Sequence, residues 1–161
     1  MKFKLLAMAA LAALSGTAMA AGSATANFQV TATVNSSCTV AATAVNFAAV
    51  TPAATGTAQA TGTITSTCTK NTPYKLAINA GSGTVAARTM AGTAGNTDKL
   101  NYNLYTDNTY SKVWGQTAGT DTVDLTGDGT AQTSTVYGKL DLNQYVKADS
   151  YSDNLTVTIN Y

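Results

Sequence analysis

An all-β sandwich is the fold class this sequence predicts, and three observations predict it. Most apolar segments alternate with a period of two, as strands with one buried face do. The segments are short and separated by Gly-, Asn- and Asp-rich turns. No segment after the first twenty residues carries a capped apolar stripe of helical period.

The elements follow in order. Met1-Lys2-Phe3-Lys4 is basic, Leu5 to Leu14 is apolar, and Ala18-Met19-Ala20 is a small-x-small cleavage pattern before Ala21. These are the three parts of a secretory signal peptide. The apolar run is shorter than the ~20 residues that span a bilayer, and no later run is long enough. The expected organisation is therefore a signal peptide over 1–20, cleaved between Ala20 and Ala21, and one exported domain over 21–161.

Phe28, Val30, Ala32 and Val34 alternate with Gln29, Thr31 and Thr33. The Ala-rich stretch from Val40 to Ala54 is broken by Asn46 and Pro52 and reads as strand plus loop. Ala60 to Cys68 sets Ile64 among β-branched threonines, which suit strands. Tyr74, Leu76 and Ile78 alternate, as do Leu100, Tyr102 and Leu104. In Gln132 to Leu140, Ser134, Val136 and Leu140 oppose Thr133, Thr135 and Tyr137. Leu155, Val157, Ile159 and Tyr161 close the chain. Turns are expected at Gly81-Ser82-Gly83, Gly92 to Asn96 and Gly127-Asp128-Gly129. Short strands at this spacing predict a sandwich with Greek-key potential.

Composition narrows the function. The chain is 45% hydrophobic and only 11% charged, against a typical ~25% charged. Without Lys2 and Lys4, seven Lys+Arg face eight acids, a net charge of −1 for residues 21–161. No basic field for nucleic acid exists. Weak repulsion between copies makes self-association easy.

Cys38 and Cys68 are the only cysteines. In an exported chain they predict a structural disulfide. Neither a C-x-x-C redox motif nor enough partners for a metal site accompanies them. Histidine is absent and every acid is an aspartate, so a nucleophile with a His base is excluded. No motif supports a Ser–Lys dyad, and nothing pairs two carboxylates for catalysis. Asp121, Asp124 and Asp128 lack the alternate-residue spacing of a calcium loop and read as turn residues. Trp114 reads as a core or interface aromatic, with a sugar-stacking platform as the other reading. No enzyme, catalytic residue, metal or cofactor is expected.

A set of short segments in fixed order carries a resemblance. Asn35-Ser36-Ser37-Cys38-Thr39-Val40 is followed by Thr65-Ser66-Thr67-Cys68-Thr69, then Pro73-Tyr74 and Leu76 to Gly81. Next come Ala87-Arg88-Thr89-Met90, Leu100 to Asp107, Val113-Trp114-Gly115, Thr135-Val136-Tyr137-Gly138 and Tyr151 to Ile159. Together they resemble the spore coat U domain family, which includes subunits of archaic (Csu-type) chaperone–usher pili. The resemblance covers the chain from residue 21 onward. At Lys147 to Ser150, relatives often show a Gly near the turn. Tip adhesins of such pili have two domains, so a one-domain chain fits a shaft or minor subunit.

The resemblance implies an immunoglobulin-like sandwich that is incomplete and is completed by a donated strand. It implies three partners: a periplasmic pilus chaperone, an outer-membrane usher and neighbouring subunits. The destination would be the periplasm and then the cell surface, where the pilus supports adhesion and biofilm formation. The segment at about 21–34 is the donor candidate, with Ala24, Ala26, Phe28, Val30, Ala32 and Val34 on one face. The other reading makes it the first strand of its own sandwich. The alternative function is a free-standing secreted β-sandwich, either a coat or matrix protein or one that binds carbohydrate through Trp114 with Tyr105 or Tyr110.

Overall fold

A computed structural model describes residues 21–51 and 54–161. The expected signal peptide and Ala20 lie outside the described residues. The chain divides into two units, with the boundary between Thr33 and Val34. In the first unit, residues 21–33 form no strand and are exposed throughout.

The second unit holds eight strands: β1 (Cys38–Ala42), β2 (Thr57–Cys68), β3 (Pro73–Ile78), β4 (Arg88–Ala91), β5 (Lys99–Tyr105), β6 (Val123–Thr126), β7 (Ala131–Asp141) and β8 (Val157–Asn160). One sheet has the order β1-β2-β7-β5-β4 and the other β6-β3-β8. Every pairing between named strands is antiparallel. No helix is present among the described residues. This is the expected all-β, immunoglobulin-like sandwich.

Alternation sets which side chains enter the core, because successive residues of a strand face opposite sides of its sheet. Ile64, Ser66 and Cys68 of β2 are buried, as are Val136 and Leu140 of β7. Leu100, Tyr102 and Leu104 of β5 join them, facing Tyr74, Leu76 and Ile78 of β3. β2 and β7 pair over eleven positions from Thr57↔Asp141 to Thr67↔Ala131, which makes this ladder the backbone of the larger sheet.

Two strands lack an alternation long enough to read. β4 and β6 are each four residues long, about one period of evidence on each face. Asp124, expected in a turn, lies in β6, where it stands opposite Lys75 of β3 and forms an ion pair with it. Asp128 does hold a turn: its Oδ1 accepts the Thr130 amide at 2.7 Å.

Candidate functional site: an apolar groove beside an open sheet edge

The sandwich is uneven, since five strands face three. The smaller sheet ends at β8, whose outer edge pairs with no strand among the described residues. Beside that edge the inner face of the larger sheet is incompletely covered. An apolar groove results. Its floor is built from Ile64 of β2, Val136 of β7, Tyr102 and Leu104 of β5 and Met90 of β4. One wall is the run Tyr151 to Val157 and the other is the segment that follows β1.

The groove has two parts, with volumes of about 400 Å³ and 630 Å³. The first reaches Ile78, Leu155 and Val157. The second continues past Met90 to Leu100, Leu140 and Val146. Ala44, Val45, Phe47 and Tyr151 border both. A strand edge beside an apolar trough offers backbone hydrogen-bonding groups and alternate side-chain pockets, the two requirements for adding an extended segment.

A hydrogen-bonded polar pair, Tyr102 and Asp153, lies in the lining of the first part. The Tyr102 hydroxyl donates to Asp153 Oδ2 at 2.7 Å, and Asp153 Oδ1 accepts from the Ser82 amide at 3.0 Å and its hydroxyl at 2.9 Å. Burial and the bonded carboxylate hold the Tyr102 hydroxyl well above the usual phenol range, so it stays protonated and donates.

Arg88, at the start of β4, is wholly buried. It is the single arginine of the chain. Its guanidinium donates to the carbonyls of Ile78, Asn79, Val85 and Trp114 and to Asn103 Oδ1. Burial pulls its pKa down from the ordinary value. These acceptors satisfy the planar donor set of a guanidinium, which an ammonium cannot match.

The expected site residues separate into groups. Cys38 and Cys68 are bonded, as expected, and join β1 to β2 at the first pair of their ladder. Phe28, Val30 and Val34 are 87%, 81% and 82% exposed. Ala21, Ala24, Ala26 and Ala32 are exposed too. The other reading, which makes the segment at about 21–34 the first strand of its own sandwich, finds no strand there: the first strand among the described residues begins at Cys38.

Trp114 is 0% exposed, and its indole Nε1 donates to the Leu76 carbonyl at 3.0 Å. It is a core residue. The carbohydrate-binding reading that placed it on an exposed face is corrected accordingly. Tyr105 and Tyr110, both half-buried, pack edge to face at 5.5 Å.

The groove itself was not legible in the sequence. Two signals pointed to it: the Val45-x-Phe47 alternation inside the Ala-rich stretch, and Gly62 and Gly138 inside strand patterns. A glycine in a strand often marks the close approach of other atoms.

The sequence profile of the Spore Coat Protein U domain matches residues 24–158. No functionally curated protein matches the chain. Among solved structures, it is similar to a chain in the CsuC–CsuE chaperone–tip adhesion subunit pre-assembly complex from archaic chaperone–usher Csu pili of Acinetobacter baumannii. The TM-score is 0.58 at 23% identity, over 80% of this chain. This chain spans 41% of that one. At this identity the likeness concerns the fold alone. The profile match takes in the alternating N-terminal segment, the disulfide and both walls of the groove, and the chain belongs to the Spore Coat Protein U domain family.

Proposed function

We propose that this chain is an exported structural subunit of a chaperone–usher surface pilus and polymerises by donor-strand exchange. The segment from Ala24 to Val34 of one copy fills the groove of the next. The observation that carries this reading is the coexistence, in one chain, of an unpaired β8 edge beside an apolar groove and an exposed alternating segment. The incoming backbone would satisfy the β8 edge, and every second side chain would enter the trough. Phe28 and Val30 would each contribute roughly 1.5–3 kcal/mol on burial.

The similar structure is a chaperone–tip adhesion subunit complex caught before assembly. By analogy, a periplasmic chaperone would hold the groove of this chain until an outer-membrane usher exchanges it for the next subunit. The finished fibre would stand on the cell surface and serve adhesion and biofilm formation. The near-neutral, lightly charged surface supports close stacking of copies.

The test compares protein starting at Ala21 with protein starting at Asn35, each run unheated and boiled on denaturing gels. A ladder in the unheated lane of the longer protein, lost on boiling and absent from the shorter one, is expected. A Phe28→Asp variant should lose the ladder as well. Monomer at every concentration in the longer protein would overturn self-assembly through this segment.

A further inference from the structure

The groove already has a tenant. After β1 the ladder with β2 continues only through Thr43, whose amide donates to the Thr63 carbonyl at 2.8 Å. From Ala44 to Val50 no backbone–backbone hydrogen bond is made among the described residues. Val45 and Phe47, two apart, nevertheless turn inward, and Val50 follows three residues on: these are half-buried while Ala44, Asn46, Ala48 and Ala49 are exposed.

Val45 and Phe47 sit on glycines. A Cβ at Gly62 of β2 would lie 2.9 Å from Val45 Cγ2. One at Gly138 of β7 would lie 2.6 Å from Val45 Cγ1 and 2.9 Å from Phe47 Cζ. The Phe47 ring meets Tyr102 on the groove floor edge-on, with centroids 6.2 Å apart. The strap is thus seated by side chains alone, in places the floor leaves open by having no side chains of its own.

It is also bent against its preference. Ala48 has φ 56°, a left-handed conformation that costs a non-glycine residue free energy. The Ala48 amide donates to Asn46 Oδ1 at 2.8 Å, which holds the turn that points Phe47 inward. A segment with no ladder, two anchoring side chains and a strained turn is cheap to move.

We propose that the Ala44–Val50 strap is a built-in gate on the groove. In the unassembled chain Val45 and Phe47 fill part of the trough, and they leave it, by a swing about Thr43, when a donated strand enters. The gate lowers exposure of the trough before assembly and sets the rate of strand capture. This inference rests on the strand-exchange reading above.

The experiment uses the protein starting at Ala21 and a fluorescent peptide with the sequence of residues 21–37, and follows the rate of peptide capture. Two variants test the gate by different routes. Phe47→Ala removes an anchor. Ala48→Pro keeps both anchors, Val45 and Phe47, but removes the amide that donates to Asn46 and excludes φ 56°, because proline holds φ near −65°. Near-ultraviolet circular dichroism and thiol titration check that each variant is folded with its disulfide. If one fails to fold, the other decides. Each variant is expected to capture the peptide roughly tenfold faster than the unaltered chain, the factor that corresponds to ~1.4 kcal/mol. Capture by the unaltered chain with an equal or slower rate in a folded variant makes the strap a fixed wall, which overturns the gate and leaves strand exchange standing. Absence of capture in all three proteins overturns both.

Discussion

The Arg88 guanidinium donates through Nη2 to the carbonyl of Trp114 at 2.8 Å. That one bond ties β4, at the far edge of the larger sheet, to the loop whose indole in turn donates to β3 of the smaller sheet. The sheets are therefore joined by a polar clasp as well as by apolar packing. Asn103 completes it: its Oδ1 accepts from Arg88 at 2.7 Å and its Nδ2 donates to the Ala86 carbonyl at 2.8 Å.

Replacing Arg88 should destabilise the domain more than any surface change. Arg88→Met keeps much of the volume but strips donors from carbonyls of Ile78, Asn79, Val85 and Trp114. Leaving buried acceptors unpaired costs about 1–3 kcal/mol for each one that water cannot reach. The expected loss is about 3 kcal/mol or more, measured by urea unfolding of the oxidised protein. Arg88→Lys should recover little, because an ammonium has three donors and no planar fork.

The disulfide joins residues 30 apart in sequence. On the chain-entropy account, closing a loop of that size stabilises the fold by roughly 3–4 kcal/mol. Reduced protein, or a Cys38→Ser/Cys68→Ser double variant, should therefore unfold at markedly lower denaturant concentration than the oxidised form. The effect should be confined to the second unit, since both cysteines and their ladder lie there. Equal midpoints with and without reductant would contradict this assignment of stability.

Acid should weaken the fold through its aspartates. Hydrogen bonds from Thr93 first, and then from Asn96 and the Ser150 amide, hold Asp149 down to about 2. Asp124, bonded by Lys75 and Thr122, and Asp128, bonded by Thr130, are lowered as well. A carboxylate whose folded pKa lies below its unfolded value of ~3.9 stabilises the fold above that value. It loses this contribution as pH falls through the folded pKa. Thermal midpoints should thus hold steady above about pH 5 and fall between about pH 4 and 2. Asp149→Asn should flatten that fall in part, without altering the plateau's independence of pH. A chain with no histidine has no side chain of that type to add a step near neutrality.

Much of the fold was legible because its strands carry apolar side chains at every second position on the face that meets the core. Tyr74-x-Leu76-x-Ile78 and Leu100-x-Tyr102-x-Leu104 announce themselves, and all six side chains are buried, joined by the intervening Ala77 and Asn103. β4 and β6 escaped because their four residues do not continue into a longer alternating run, as β8 does from Leu155 to Tyr161. The final strand shows the limit of the rule. Val157 and Ile159 alternate as cleanly as any pair, yet remain half-buried, because β8 is an edge strand that pairs with β3 on one side and with no strand on the other among the described residues.

The sequence by itself determined the strand-rich sandwich, the paired cysteines, the absence of histidine chemistry and the alternating face of Ala24 to Val34. All of these depend on residue type and near-neighbour spacing, which a linear chain displays. Only the tertiary structure decided that β8 is left open and that the trough beside it is floored by four other strands. Tertiary packing alone also buries Trp114 and sets Val45 and Phe47 on Gly62 and Gly138. Those relations join residues up to about ninety positions apart, as Val45 and Gly138 are. Local periodicity carries no information on which strand pairs with which, so an unfilled edge becomes visible only once every other edge has found its partner.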